Sequence, residues 1–231
     1  MKTILTFTIA VCFVATTAFA ALSKDEVQRL REGAGILTEL RASPDKGIPE
    51  ELWKRAECVI VIPSMKTAAF IVGGEYGSGV MSCRTGTAWS NPLFMQLAKG
   101  SLGLQIGGKE TDLVLLLMNR RGLDKLLEDK VSLGADASLA AGPVGRSASA
   151  ATDAQLHAEI LSYSHSSGVF AGLNLSGGVL RPDKKADERA YGPTVAARDV
   201  ASGAGGLSTP SAAMPFLQAL GHEARQPVPA N

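Results

Sequence analysis

Aromatic residues make up only 5% of this 231-residue chain, histidine occurs three times and cysteine three times. Each scarcity narrows the function. With 23 basic against 22 acidic residues, the chain lacks the basic excess by which proteins hold nucleic-acid phosphates, so no nucleic-acid partner is expected. Few histidines leave little for metal chemistry: His157 with Asp153 offers two ligands at helical spacing and no evident third, whereas zinc needs at least three protein ligands. His165 in "YSHSSG" sits between Ser164 and Ser166, but strand alternation turns it to the face opposite both serines, which makes it part of a polar strand surface. No G-x-S-x-G elbow occurs, and Ser147 in "GPVGRSAS" lacks the second glycine. A hydrolase is therefore the weakest reading; no enzyme activity and no cofactor are expected.

Long apolar runs are also missing, apart from the leader "MKTILTFTIAVCFVATTAFA". Lys2, an apolar run from Ile4 to Val14 and the ending Ala18-Phe19-Ala20 make residues 1–20 a signal peptide. The run is too short, and too broken by threonine, for a membrane span of about 20 residues. Loss of Lys2 with the leader brings the basic residues level with the 22 acidic ones. The expected location is exported, periplasmic or secreted. Of the cysteines, Cys58 and Cys83 outlast the leader, each in an apolar β-type run ("CVIVIP", "GVMSC"). An isolated pair in an oxidising compartment points to a disulfide, the alternative being two buried thiols.

What is plentiful is glycine, 25 residues in all. "GLQIGGKE", Gly103–Glu110, fills most of a phosphate-cradling G-x-x-x-x-G-K-[ST] loop, yet Glu110 stands where the Mg²⁺-holding hydroxyl belongs. Leu102, Leu104 and Ile106 alternate with Gly103, Gln105 and Gly107, which reads as a strand with one nearly bare face. Nucleotide binding is not expected.

Ahead of the strands, Ser23 and Glu26 form a capping box for a helix over Lys24–Arg41, with an apolar stripe of Val27, Leu30, Ala34, Leu37 and Leu40. "PEELWKRAE" is a second short helix with Pro49 at its first turn. Short strands with glycine-rich turns follow from Cys58, interrupted by a helix over Arg120–Lys130. Asp183, Asp187 and Glu188, interleaved with Lys184, Lys185 and Arg189, read as solvated charge, or more sharply as a basic cluster touching lipid headgroups. Trp89 is assigned to the core and Arg146 to a structural ion pair. "ASGAGGLSTPS" is linker chemistry, followed by an apolar segment interrupted by Pro215. The divisions are thus residues 1–20 leader, 21–44 amphipathic helix, 45–192 core domain and 193–231 flexible tail.

"GGEYGSGVMSCR" (73–84), "WSNP" (89–92), "GLQIGGKETDLVLLL" (103–117), "LGADASLAAGPVGR" (133–146), "YSHSSGVFAGLNLSG" (163–177) and "YG" (191–192) together resemble the SYLF-domain family, especially its exported bacterial members. The resemblance implies a lipid-binding module, with membrane contact made partly by the N-terminal helix. Arg29, Leu30, Arg31, Leu37 and Arg41 would then be lipid-binding residues, joined by Lys184 and Lys185. Actin, linked to the family in eukaryotes, is not expected for an exported chain. The fold expected is α+β: a largely antiparallel, glycine-rich sheet curled into a sandwich or barrel, with helices packed around it. The function expected is contact with phospholipid or a membrane surface, with an envelope protein as a further possible partner. The alternative is a structural or protein-interaction domain with no small ligand.

Overall fold

A computed structural model of the chain describes residues 22–42, 47–69, 72–102, 109–144, 157–166 and 169–221. Residues 1–20, read from the sequence as a leader, residues 103–108, read as part of a bare-faced strand, and Arg146 and Asp153 lie outside these residues. The first helix, α1 (Lys24–Ala42), begins as the capping box requires. The Ser23 amide donates to Glu26 Oε2 at 2.6 Å, and the Glu26 amide donates to Ser23 Oγ at 3.4 Å. A short α2 (Glu50–Arg55) leads into the sheet.

The strands are β1 (Cys58–Ala69), β2 (Val72–Thr85), β3 (Ala88–Trp89), β4 (Leu93–Leu102), β5 (Lys109–Leu117), β6 (Val131–Ser132), β7 (Leu139–Ala141), β8 (Ile160–Ser166), β9 (Val169–Gly172) and β10 (Gly178–Pro182). Helix α3 (Arg120–Glu128) separates β5 from β6, and α4 (Lys184–Tyr191), α5 (Ala197–Ser202) and α6 (Met214–Ala219) follow β10. Lys109 opens a strand, so the helix that a phosphate loop needs does not follow it. The sheet runs in the order β6-β10-β4-β2-β1-β5-β8-β7, with β3 on β2 and β9 on β8, and curls into a half-barrel. Its described pairings are antiparallel except β7 with β8. The α+β architecture read from the sequence is the one observed.

The middle of the sheet is buried on both faces. Val59 and Val61 of β1, with Val114 and Leu116 of β5, join the core that holds Leu30 and Leu37 of α1, Trp53 of α2 and Phe216 of α6. Their alternates Cys58, Ile60, Ile62, Leu113, Leu115 and Leu117 join a second core with Leu123 and Leu126 of α3 and Val200 of α5. This two-sided burial is why "CVIVI" and "LVLLL" are unbroken apolar runs.

Two glycines permit the close packing. A Cβ on Gly79 of β2 would come 2.1 Å from the Val61 carbonyl oxygen, beside a register shift in β1. One on Gly142 would come 2.0 Å from the ring of Tyr163, which is fully buried. Cys58 and Cys83 face each other directly across β1 and β2 and are joined by a disulfide, their Cα atoms 4.0 Å apart.

Ordered packing continues past Gly192, where the sequence places the end of the core. Val200 and Ala201 of α5, and Ala213, Phe216, Leu217 and Leu220 around α6, are buried. Pro215 falls in the first turn of α6, where a missing amide is harmless, and so begins that helix instead of interrupting it. The expectation of a flexible tail is corrected for residues 193–221: its sparse apolar residues are spaced to cover both cores. Ring atoms of Phe216 lie so near Gly33 of α1 that a Cβ there would meet one at 3.2 Å.

Two stability measurements check this account. Leu37→Ala leaves a cavity beneath α1 and is expected to cost about 2–5 kcal/mol in urea unfolding. Replacing both Cys58 and Cys83 by alanine releases the loop between them and is expected to cost about 3 kcal/mol.

Candidate functional site

Helix α1 carries the residues that the resemblance marks for lipid, and the structure divides them. Leu30 and Leu37 are fully buried against the sheet and α6, so in this state they face protein and cannot touch a bilayer. Arg29 is also engaged: its Nη1 lies 2.9 Å from Asp183 Oδ2. Arg31 stays at the surface, the side chain of Arg41 lies outside the described residues, and Lys184 and Lys185 are exposed on α4. Lys184 Nζ is 3.9 Å from Asp129 Oδ1. Neither lysine borders the concavity at the first turns of α1.

A polar clasp joins α1 to α4 and β4. Glu26, fully buried, accepts from Arg189 Nε at 2.8 Å and also from its Nη2. Asp183 caps α4 by accepting from the Ala186 amide and pairs with Arg29. Asp187 Oδ1 accepts from the Phe94 amide at 2.8 Å, while its buried Oδ2 has no hydrogen-bond partner among the described residues. The solvated-charge reading of this segment is therefore corrected for Asp183 and Asp187. They are buried because this side of α4 lies on β4, with Arg29 and Arg189 bridging to the first turns of α1. Three carboxylates here share two guanidiniums. Burial, with Asp183 and Glu26 adding to it against the Phe94 amide, pushes the Asp187 carboxyl up to about 8, so that it holds a proton at neutral pH.

A second polar contact holds the other end of α1. His165 of β8 is buried, not on a polar surface, and its ring stacks on Phe170 with centroids 4.4 Å apart. Its Nδ1 lies 3.2 Å from Asp112 Oδ2 on β5. Its Nε2 lies 3.0 Å from Glu39 Oε2 on α1, close enough for an ion pair but off the angle of a hydrogen bond. Asp112 uses its other oxygen to accept from the Ser64 amide at 2.8 Å, and Ser64 has the positive φ of 49°. An acid inside the apolar "TDLVLLL" run was the available signal for this site; its partner on α1 was not legible.

Two concavities stand out among the described residues. Leu22, Lys24, Val27, Gln28, Arg31 and Glu32 border one of about 460 Å³ at the first turns of α1. The other, about 530 Å³, lies between the β2–β3 turn and the C-terminal helices, lined by Trp89, Thr87, Val200, Leu207 and Met214 among others, with no charged side chain. Trp89 itself is buried, as its core assignment requires, under Arg84 at 4.4 Å and beside Trp53.

The raised Asp187 carboxyl fixes a sign. A folded-state value above the ordinary 3.8 contributes stability that is complete below about 3.8 and is lost as pH rises towards about 8. Asp187→Asn keeps an acceptor for the Phe94 amide and removes that titration. Relative to wild type, the variant is expected to gain on the order of a few kcal/mol between pH 5 and pH 8 in urea unfolding. A gap that stays constant with pH would contradict the assignment.

Comparison with known proteins bears on the whole chain. Residues 98–223 match the Ysc84 family model, described as "Las17-binding protein actin regulator". LAS seventeen-binding protein 3 of Saccharomyces cerevisiae is 33% identical over 192 residues, covering 81% of this chain and 41% of that protein. Protein YSC84 of the same yeast is 34% identical over 181 residues, covering 76% and 38%. The SH3 domain-containing YSC84-like protein 1 of Xenopus laevis is 32% identical over 169 residues, covering 70% and 50%. The chain thus spans half or less of the length of these relatives, and it belongs to the SYLF-domain family of the Ysc84 model.

Proposed function

We propose that this chain is an exported, non-enzymatic SYLF-domain protein that meets anionic lipid headgroups through the first turns of α1. The observation that carries the reading is the concavity there, where Leu22 and Val27 supply apolar surface and Lys24 and Arg31 supply positive charge. Apolar contact combined with cationic side chains is the chemistry of peripheral membrane attachment. Glu32, in the same lining, keeps the attraction modest. The leader over residues 1–20 and the Cys58–Cys83 bond both suit an oxidising compartment outside the cytoplasm.

A second reading has its own support. The family description and the yeast relatives' names speak of Las17 binding and actin regulation, so actin stays among the candidate partners of a protein-interaction module. An envelope protein is the partner that export favours.

Vesicle co-sedimentation separates the readings. The purified protein is expected to pellet with vesicles containing phosphatidylglycerol more than with phosphatidylcholine alone. Lys24→Ala combined with Arg31→Ala is expected to weaken that binding roughly tenfold or more, since each basic residue near an anionic surface contributes about 1 kcal/mol. Equal partition into both vesicle types, or an unaffected double variant, would refute the headgroup role. Pelleting with actin filaments and not with vesicles would establish the second reading.

A further inference from the structure

We infer that the Glu39–His165–Asp112 contact is a pH-responsive latch on α1, closed when the imidazole carries two protons and loosened when it carries one. The inference rests on the proposed membrane role of α1 only for its biological use; the latch itself is a property of the protein without lipid.

The geometry supplies the argument. Both ring nitrogens of a buried histidine face carboxylates, Asp112 at 3.2 Å and Glu39 at 3.0 Å. A neutral imidazole has one N–H and one lone pair, so it can donate to only one of the two acids and turns its lone pair towards the other. The imidazolium donates to Asp112 from Nδ1 and attracts the Glu39 carboxylate at Nε2 through its charge, 3.0 Å away but off the angle of a hydrogen bond. Loss of one proton therefore converts an attraction into a repulsion at whichever carboxylate is less firmly held.

That carboxylate is Glu39. Asp112 sits opposite His165 in the β5–β8 register and is anchored by the Ser64 amide. The Glu39 side chain is 60% exposed, against 28% for Asp112, and can swing into water. Around the ring, β9 contributes the uncharged Phe170 and β1 the Ser64 amide, and further along β1 the exposed Lys66 stands opposite Glu110 in the β1–β5 register. Glu110, two residues from Asp112 on β5, is exposed and adds negative charge along the same face. A histidine side chain ordinarily changes charge between about pH 5 and pH 8.

The consequence concerns the stripe beneath. Leu37 and Leu40 lie on the same helical turns as Glu39 and are buried against the sheet core. Loosening Glu39 lets this end of α1 leave the sheet more often, and it is the apolar stripe that such openings present to the surroundings. Acid closes the latch and mild alkali eases it.

Hydrogen exchange tests this in lipid-free protein. Amides of Leu37–Leu40, corrected for the intrinsic pH dependence of exchange, are expected to open roughly tenfold more often at about pH 8 than at about pH 5.5. The measurement is made in the Asp187→Asn background, so that the carboxyl in the other clasp cannot supply the response. Glu39→Gln changes an exposed side chain, and its amide can donate to the lone pair of a neutral ring; the variant is expected to stay protected at both pH values. His165→Gln removes the second charge and is expected to open equally at both. Protection in the Asp187→Asn protein that does not change with pH would overturn the latch, as would a full response surviving in Glu39→Gln. A responsive helix whose vesicle binding ignores pH would support the latch while counting against the membrane reading.

Discussion

The structure depends on two adjacent inner strands of the sheet, β1 and β5, that are apolar on both faces. Once β1 and β5 pair through Cys58–Leu117 to Thr67–Lys109, neither face can be left to water. One face is closed by α1, α2 and α6, the other by the curl of the sheet together with α3 and α5. Each large side chain so buried contributes about 1.5–3 kcal/mol. The constraint explains why α1 is not a free amphipathic helix and why the C-terminal helices are integral. Removing either would uncover Val59, Val61 and Val114 on the same side.

Polar groups then fix where the coverings sit. Apolar packing alone would allow α1 to slide or rotate over the sheet, since it has no direction. Three polar contacts oppose this, the hydrogen-bonded Glu26–Arg189 and Arg29–Asp183 pairs near the first turns and the Glu39–His165 ion pair near the last. Register over an apolar surface is a recognised use of buried ionic contacts.

The parts of the architecture written in neighbouring residues could be read from the sequence. The capping box of Ser23 and Glu26, the unbroken apolar runs of β1 and β5, the turn glycines and the placing of Cys58 with Cys83 in β-type runs are all short-range signals. The end of the domain was not legible, because "ASGAGGLSTPS" has linker composition while Val200, Leu217 and Leu220 pack on distant parts of the chain. The charged residues were the hardest to assign. Lys184 and Asp187 look equivalent in "RPDKKADERAYG", yet one is exposed and the other buried, a difference set by which side of α4 meets β4. Strand alternation around His165 is legible in "YSHSSG" but its burial is not, since the helix that covers it begins more than a hundred residues earlier.

This division of charge limits how a membrane could be met. Arg29 and Arg189 are committed to Asp183 and Glu26, so spending them on lipid phosphates would expose two buried carboxylates. Such an exchange trades one charged hydrogen bond for another and leaves unpaired charge behind, which is unfavourable. Contact made with the folded body intact must therefore use side chains outside the clasp, and at the start of α1 these are Lys24 and Arg31 beside Leu22 and Val27. Contact through Leu30 and Leu37 instead requires α1 to leave the sheet, giving up apolar burial that a bilayer would have to replace. The first mode would need no rearrangement and would give weak, salt-sensitive attachment. The second would give stronger attachment only where the polar contacts of α1 had already been weakened, so on the proposed membrane role the clasp and His165 are the elements that would decide between them.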